Sequence, residues 1–241
     1  MNFSKETLTK IFNPVKVITF VMRYFLCQVK SIYYSSKIDE GGGKIIFTDP
    51  YLKFSIKKHK TSVLHIKGIL KIENFMNGNN SILISMESNS KFQINGDFLI
   101  GPGVKFQLCK DASLVIGGKD KESESGITAD SLVMVFKKIE IGKDFLCAWN
   151  TLITDSDWHY IDGQNHQADV LIGDHVWIAN SNNILKGSKI GNNSILASNS
   201  KIINKSFPDD VLIGGLTPKI LKYQVKWSRD ILPSTKNNYF Y

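Results

Sequence analysis

Aliphatic residues recur every six positions at Ile172, Ile178, Ile184, Ile190, Leu196 and Ile202, with mostly polar or small residues between them. A helix would place apolar residues about every 3.6 positions and an isolated half-buried strand every 2. A six-residue repeat with Gly or Asn after the aliphatic residue instead describes a flat strand, a corner and another flat strand. Each face then contributes one aliphatic side chain to a narrow interior. Three such hexapeptides form one coil of a parallel β-helix, and stacked coils bury a core that no single coil could bury alone. Asn and Gly suit the corners because they accept left-handed backbone angles at low cost.

The pattern changes along the chain. In residues 1–36, Ile11, Val15, Ile18, Met22, Phe25 and Val29 are separated by steps of four and three, the spacing of one helix face. One or two helices are predicted there, with Pro14 near a start or a break. Packing against the first coil as a cap is the favoured role, because an open strand edge invites pairing with another chain. The alternative is a helix lying on a membrane surface, with Lys10, Lys16, Arg23 and Lys30 flanking its apolar residues. The stretch from Val15 to Cys27 is too short, and too interrupted by Lys16 and Arg23, to span a bilayer, and it lacks the small-residue cleavage pattern of a secretory signal.

Short strand-like pieces begin after Gly41, and the six-residue period becomes legible at Ile94, Ile100 and Phe106. The first half is therefore placed in the same solenoid, with irregular early coils. The polar run from Lys119 to Gly126 reads as a solvated loop. The period resumes at Ile141, Cys147 and Ile153, but Ile153 and Ile172 are nineteen residues apart, one more than three hexapeptides. An excursion from the coil is predicted at 154–171. The repeat is expected to stop after residue 206, followed by a turn, a strand and a short helix, with a patternless tail beyond Leu232. The predicted organisation is a cap at 1–40, a β-helix at 41–206 and a closing segment at 207–241.

A net charge of +8 over 241 residues could favour nucleic acid, an anionic membrane surface or phosphorylated ligands. The lysines are spread out and accompany no groove-reading element, which argues against nucleic acid. Cys27, Cys109 and Cys147 are odd in number and show no tight spacing, as expected of free thiols in a reducing compartment. Cys147 keeps the six-residue register and is expected to face the core as a small apolar residue rather than act as a nucleophile.

Four stretches carry a family resemblance: Ile172-Gly-Asp-His-Val-Trp-Ile178, Ile184-Leu-Lys-Gly-Ser-Lys-Ile-Gly191, Phe207-Pro-Asp-Asp and Gly215-Leu-Thr-Pro-Lys219. They resemble the hexapeptide-repeat acyltransferases, most closely the branch that O-acetylates sugars and bacterial polysaccharides. The resemblance implies left-handed coiling, which spacing cannot give and which departs from the usual right-handed crossover. It also implies a cytoplasmic homotrimer with a site between subunits, acetyl-CoA as acyl donor and a carbohydrate acceptor. Whether residues 1–36 bring the protein to the inner face of a membrane stays open.

The excursion, Asp155-Ser-Asp-Trp-His159-Tyr-Ile-Asp-Gly-Gln-Asn-His166, gathers two histidines, three carboxylates and two aromatic rings in twelve residues. Acyl transfer to a hydroxyl needs a base for the hydroxyl proton and a donor for the thioester oxyanion. An imidazole suits the first task when another group fixes its tautomer. His159 is the predicted base, the role held by the matching histidine in the resembling enzymes, with Asp155 or Asp157 as orienter. Trp158 and His166 are predicted to meet the acceptor, and His175 to be structural or solvent-facing. The intervals of seven and nine between His159, His166 and His175 match no recognisable zinc spacing, so no metal is predicted.

By resemblance, Trp177, Ala179, Asn180, Ala197 and Ser198 line the coenzyme A groove, and Lys219 and Lys222 meet the nucleotide phosphates. A backbone N–H at Ala179 or Asn180 would hold the oxyanion. The chain departs from the pattern at Ala179, where Gly is usual, and at Ala197-Ser-Asn-Ser200 and Thr217-Pro218. Two other readings remain open: N-acetylation of an amino sugar, and a β-helix that binds polysaccharide without chemistry.

Overall fold

The structure, a computed structural model, describes residues 14–74, 78, 80–119 and 125–229. Three strands, β1 (Lys44–Phe47), β2 (Phe54–Lys58) and β3 (Val63–Ile66), each start a sheet. Every later strand but the last pairs in parallel with the one three elements before it, giving sheets of nine, seven and seven strands. The sheets are called first, second and third after these founding strands. The fold is a three-sided parallel β-helix.

The six-residue period becomes three ladders of inward side chains. Phe47, Ile72, Ile100, Ile127, Cys147, Ile178, Leu196 and Ile213 stand in register on the first sheet. Ile84, Phe106, Val133, Ile153, Ile184 and Ile202 do so on the second, and Ile66, Ile94, Ile116, Ile141, Ile172 and Ile190 on the third. Nearly all of them are fully buried. Cys147 belongs to this core, where burial pushes its thiol up to about 12, so it does not supply a thiolate.

The corners explain the polar part of the repeat. Asn150, Ser181 and Asn199 stack at the corner between the first and second sheets with φ near 57–61°. At another corner the Ile-Gly-Asx motif links successive coils. Asp174 accepts from Lys143 N–H at 2.6 Å, Asn192 from Asp174 N–H at 2.8 Å and Asp209 from Asn192 N–H at 2.7 Å. The glycine beneath each carboxylate or amide leaves it room; a Cβ on Gly173 would lie 2.6 Å from Asn192 Oδ1.

The early coils are more regular than expected, with strand pairing unbroken from β1 onward. The repeat also outlasts residue 206. Ser206–Phe207 joins the third sheet and Val211–Gly214 the first, because Phe207 and Ile213 keep the aliphatic ladders going. Lys219–Tyr223 then turns back antiparallel to close the first sheet. The expected short helix does not form before residue 229. Val225 N–H is tied to Asp210 O and Trp227 is held against His175, so the segment runs back along the coil. Most of the polar run at 119–126, and the tail from 230, lie outside the described residues.

Helix α1 (Pro14–Ser35) lies over the first coil. Ser31 Oγ accepts from Phe47 N–H at 3.1 Å and Ser35 Oγ from Ile45 N–H at 2.9 Å, meeting the open edge of β1. Lys30 donates to Pro50 O and Leu52 O, and Tyr34 to Phe54 O. The helix thus meets the coil through its polar side. Val15, Ile18, Met22, Phe25 and Val29, the face picked out by the spacing, are all exposed, while Cys27 and Ser31 are buried. Ile11 lies outside the described residues.

Replacing Ile178 by Ala removes a fully buried side chain from the centre of a ladder that close packing cannot refill. It is expected to lower stability by about 2–5 kcal/mol in urea denaturation.

Candidate functional site

In this coil the chain leaves the second sheet after Leu152–Thr154 and joins the third at Val170–Ile172, so the excursion leaves the corner between those two sheets. It folds as a narrow hairpin: Asp157 N–H donates to His166 O and Ala168 N–H to Asp155 O. Asp155 is fully buried, and its carboxylate accepts from the backbone N–H groups of Phe136, Lys137 and Lys138 at 2.7–2.8 Å. Asp157 pairs with Lys186, whose Nζ lies 2.5 Å from its Oδ2 and 2.5 Å from Asn165 O. The sequence pointed to these carboxylates as orienters of His159, yet neither hydrogen-bonds it. Asp155 fastens the hairpin to the coil beneath, and Asp157 neutralises a buried ammonium.

His159 is exposed at the tip side of the hairpin and makes no hydrogen bond among the described residues. His166 Nδ1 lies 3.2 Å from Ser156 Oγ, and its ring meets Phe136 edge-on at 4.8 Å. Trp158 packs on the same Phe136 at 6.1 Å, with its indole N–H donating to Thr154 Oγ1 at 2.9 Å. One phenyl ring therefore braces both arms of the hairpin. Among the described residues no three His, Cys, Asp or Glu side chains gather as metal ligands.

The residues expected to line a donor groove do come together. Trp177, Ala179, Asn180, Ala197 and Ser198, with Ala148, Trp149, Ile195 and Leu212, enclose a trough of about 560 Å³ on the outer face of the first sheet. Alternation along each strand makes its two columns: the residue before each inward aliphatic is large (Trp177, Ile195, Leu212) and the residue after it small (Ala179, Ala197, Gly214). A Cβ on Gly214 would lie 2.6 Å from Leu221. Ser198 donates to Asn180 Oδ1 at 2.7 Å along the rim. Ala179 N–H is engaged by Leu196 O at 2.9 Å, so of the two expected oxyanion donors only Asn180 N–H has no partner among the described residues. Lys222 stands opposite Leu212 and Lys219 opposite Gly214 in the closing strand, placing both exposed lysines at the trough's end.

A further cluster was not legible in the sequence. His175, at a left-handed corner (φ 54°), lies 2.5 Å from Asp144 Oδ2 through Nδ1 and stacks on Trp227 at 4.1 Å. Arg229 donates to Asp144 Oδ1 at 2.8 Å, and Trp227 Nε1 to His175 O at 3.1 Å. Trp227 is also 6.0 Å from Trp177, so the C-terminal segment forms a wall beside the trough. The partners stand 31 to 85 residues apart in the chain, with no spacing to betray them. Lys186 did carry a signal: two residues after inward-facing Ile184, it lies on the buried side of its strand and needs a partner.

A family model described as bacterial transferase hexapeptide (six repeats) matches residues 169–204. The chain belongs to this family of acyltransferases, and with membership comes the left-handed sense of the coil. It is 33% identical over 168 residues to the polysialic acid O-acetyltransferase of Neisseria meningitidis, covering 66% of this chain and 76% of that protein. It is 28% identical over 100 residues to the putative lipopolysaccharide biosynthesis O-acetyl transferase WbbJ of Escherichia coli, covering 36% of this chain and 50% of that protein. A crystal structure of the polysialic acid O-acetyltransferase OatWY is 26% identical, with TM-score 0.45 over 82% of this chain and 94% of that one.

Burial alone would raise the Asp144 carboxyl, but hydrogen bonds from His175 and Arg229, with the charges of Arg229 and Lys119, outweigh it and hold it below its usual 3.8. A depressed folded pKa stabilises above the unfolded value and loses that contribution as pH falls through the folded one. Asp144→Asn is therefore expected to cost about 1–3 kcal/mol at neutral pH. The gap to wild type should close below about pH 4 when melting is followed across pH.

Proposed function

We propose that the protein transfers an acetyl group from acetyl-CoA to a hydroxyl of a bacterial surface polysaccharide or its precursor, as a homotrimer with each site between two subunits. One observation carries this reading: the hairpin bearing His159 leaves the corner between the second and third sheets, while the trough runs along the first sheet, the opposite side of the triangular coil. A single chain keeps base and groove apart. A neighbouring copy that presents its hairpin to the trough brings them together, and would also supply the partner that His159 lacks among the described residues of its own chain. The names of the relatives, which include a polysialic acid and a lipopolysaccharide O-acetyltransferase, support a carbohydrate acceptor.

The column Ala179, Ala197 and Gly214 leaves room for a narrow chain such as pantetheine against the sheet, with the Trp177, Ile195 and Leu212 side chains as its apolar flank. Lys219 and Lys222 would meet the nucleotide phosphates at the end. The neutral imidazole of His159 takes the acceptor hydroxyl's proton as the oxygen attacks the thioester carbon. Asn180 N–H would hold the oxyanion until the C–S bond breaks and coenzyme A leaves as thiol. Transfer is direct, and the buried Cys147 beneath this sheet stays protonated. Trp158 and His166, braced on Phe136, would form the acceptor's side of the site.

His159→Ala should reduce acetyl-CoA-dependent thiol release by about 10²–10⁴-fold, with donor affinity near wild type. Equal turnover in the variant, or no saturable binding by wild type, would sink the reading. Ala197→Leu fills the trough floor and should raise the KM for acetyl-CoA by about 10–100-fold, with kcat changed far less. An unchanged KM would mean that the donor lies elsewhere.

A further inference from the structure

Helix α1 has its polarity reversed relative to a helix packed on a core. At 100° per residue, Lys16, Arg23, Cys27, Lys30, Ser31 and Tyr34 fall on the side turned to the first coil or on its flank. The opposite side carries Ile18, Val21, Met22, Phe25, Val29 and Ile32, which are 49–70% exposed. No charged residue interrupts this arc, and Val15, Leu26 and Tyr33 widen it. From Ile18 to Ile32 it runs about 21 Å. A soluble helix hides such a face and shows the polar one; here the chain spends its apolar face on the outside.

Charge says what meets it. The helix contains Lys16, Arg23 and Lys30 and no Asp or Glu. Between residues 14 and 60 there are nine Lys or Arg against three Asp or Glu, so this end of the solenoid holds most of the chain's net charge of +8. Arg23 is met by Asp49 at 3.5 Å and Lys30 by backbone carbonyls of the first coil, so the solvent-facing charge of this end comes chiefly from Lys16, Lys44, Lys53, Lys57 and Lys60. A second copy of the helix fits poorly. It would bring two net-basic solenoid ends together with no acid on either helix to oppose them, and a paired seam needs a narrower stripe than this arc. No helix among the described residues is long and apolar enough to cross a membrane.

We propose that α1 lies in the surface of an anionic lipid bilayer. Its outward face enters the boundary between headgroups and acyl chains, and the basic excess of this end of the solenoid draws it to the lipid phosphates. The coil then stands on the membrane by its N-terminal end. The contact to the first coil is made by Ser31, Ser35 and Tyr34 on the other side of the helix, so lipid binding requires no unpacking of the β-helix.

The test is flotation of the full chain with vesicles of phosphatidylcholine alone and of phosphatidylcholine containing about 30% phosphatidylglycerol. Wild type should float with the anionic vesicles and be released by about 0.5 M NaCl in the weak-binding range. The double variant Ile18→Glu, Phe25→Glu should bind about a hundredfold more weakly with an unchanged thermal melt, because both side chains point away from the coil. The proposal is overturned if wild type stays with the buffer, or if the variant floats equally well. It is also overturned if the variant loses oligomeric mass in sedimentation velocity while wild type ignores lipid, since the face then joins copies of the chain. None of these readouts depends on acetyl transfer.

Discussion

The rest of this molecule depends on the stacking of inward aliphatic residues in register from coil to coil. Each face of a coil buries one to three of them, and close packing gives each ladder position one neighbour above and one below. Everything at the surface inherits that regularity. A residue one place before the ladder points outward in one column, and a residue one place after it in another. The large column of Trp177, Ile195 and Leu212 and the small column of Ala179, Ala197 and Gly214 are consequences of register, repeated at the spacing between paired strands. The trough needs no loop to shape it.

The hairpin from Asp155 to Ala168 is built by different means. It has no aliphatic ladder of its own and is held by polar fastening: a buried carboxylate that collects three backbone N–H groups, and an ammonium shared by Asp157 and Asn165. Buried polar groups specify a geometry when they are fully partnered and are costly when they are not. Their expense here fixes the position of a loop whose exposed histidine is left free of local bonds. In the proposed reaction, an imidazole bonded within its own hairpin would be less available to the acceptor hydroxyl. The carboxylates beside His159 thus serve it by holding its platform.

The two ends of the solenoid solve the open-edge problem in different ways. At the C-terminal end an antiparallel strand covers the first sheet, and the following segment folds back to lodge Trp227 between His175 and Trp177. At the N-terminal end, hydroxyls of Ser31 and Ser35 substitute for the missing strand's carbonyls. Because hydroxyls rather than aliphatics make that contact, the apolar face of the helix is left to the outside.

The sequence by itself determined the coil. A six-residue period is local information, and it placed the ladders, the core position of Cys147, the left-handed Asn corners and the interval where the coil is interrupted. The residues of the trough were named through the family resemblance, and the alternation of the strands then carries them to one outer face. The tertiary structure alone decided who partners whom between coils. Asp155 and Asp157 sit four and two residues from His159, yet they bond to Phe136, Lys137, Lys138 and Lys186, partners that only the stacking of coils brings to the base of the hairpin. The pairing of His175 with Asp144, 31 residues away, depends on register between coils, as does the reach of Arg229 back to the same carboxylate. The helix shows the same limit: its period announces an apolar face, but which way that face turns depends on whether the surface waiting for it offers aliphatic side chains or unpaired backbone, and β1 offers backbone.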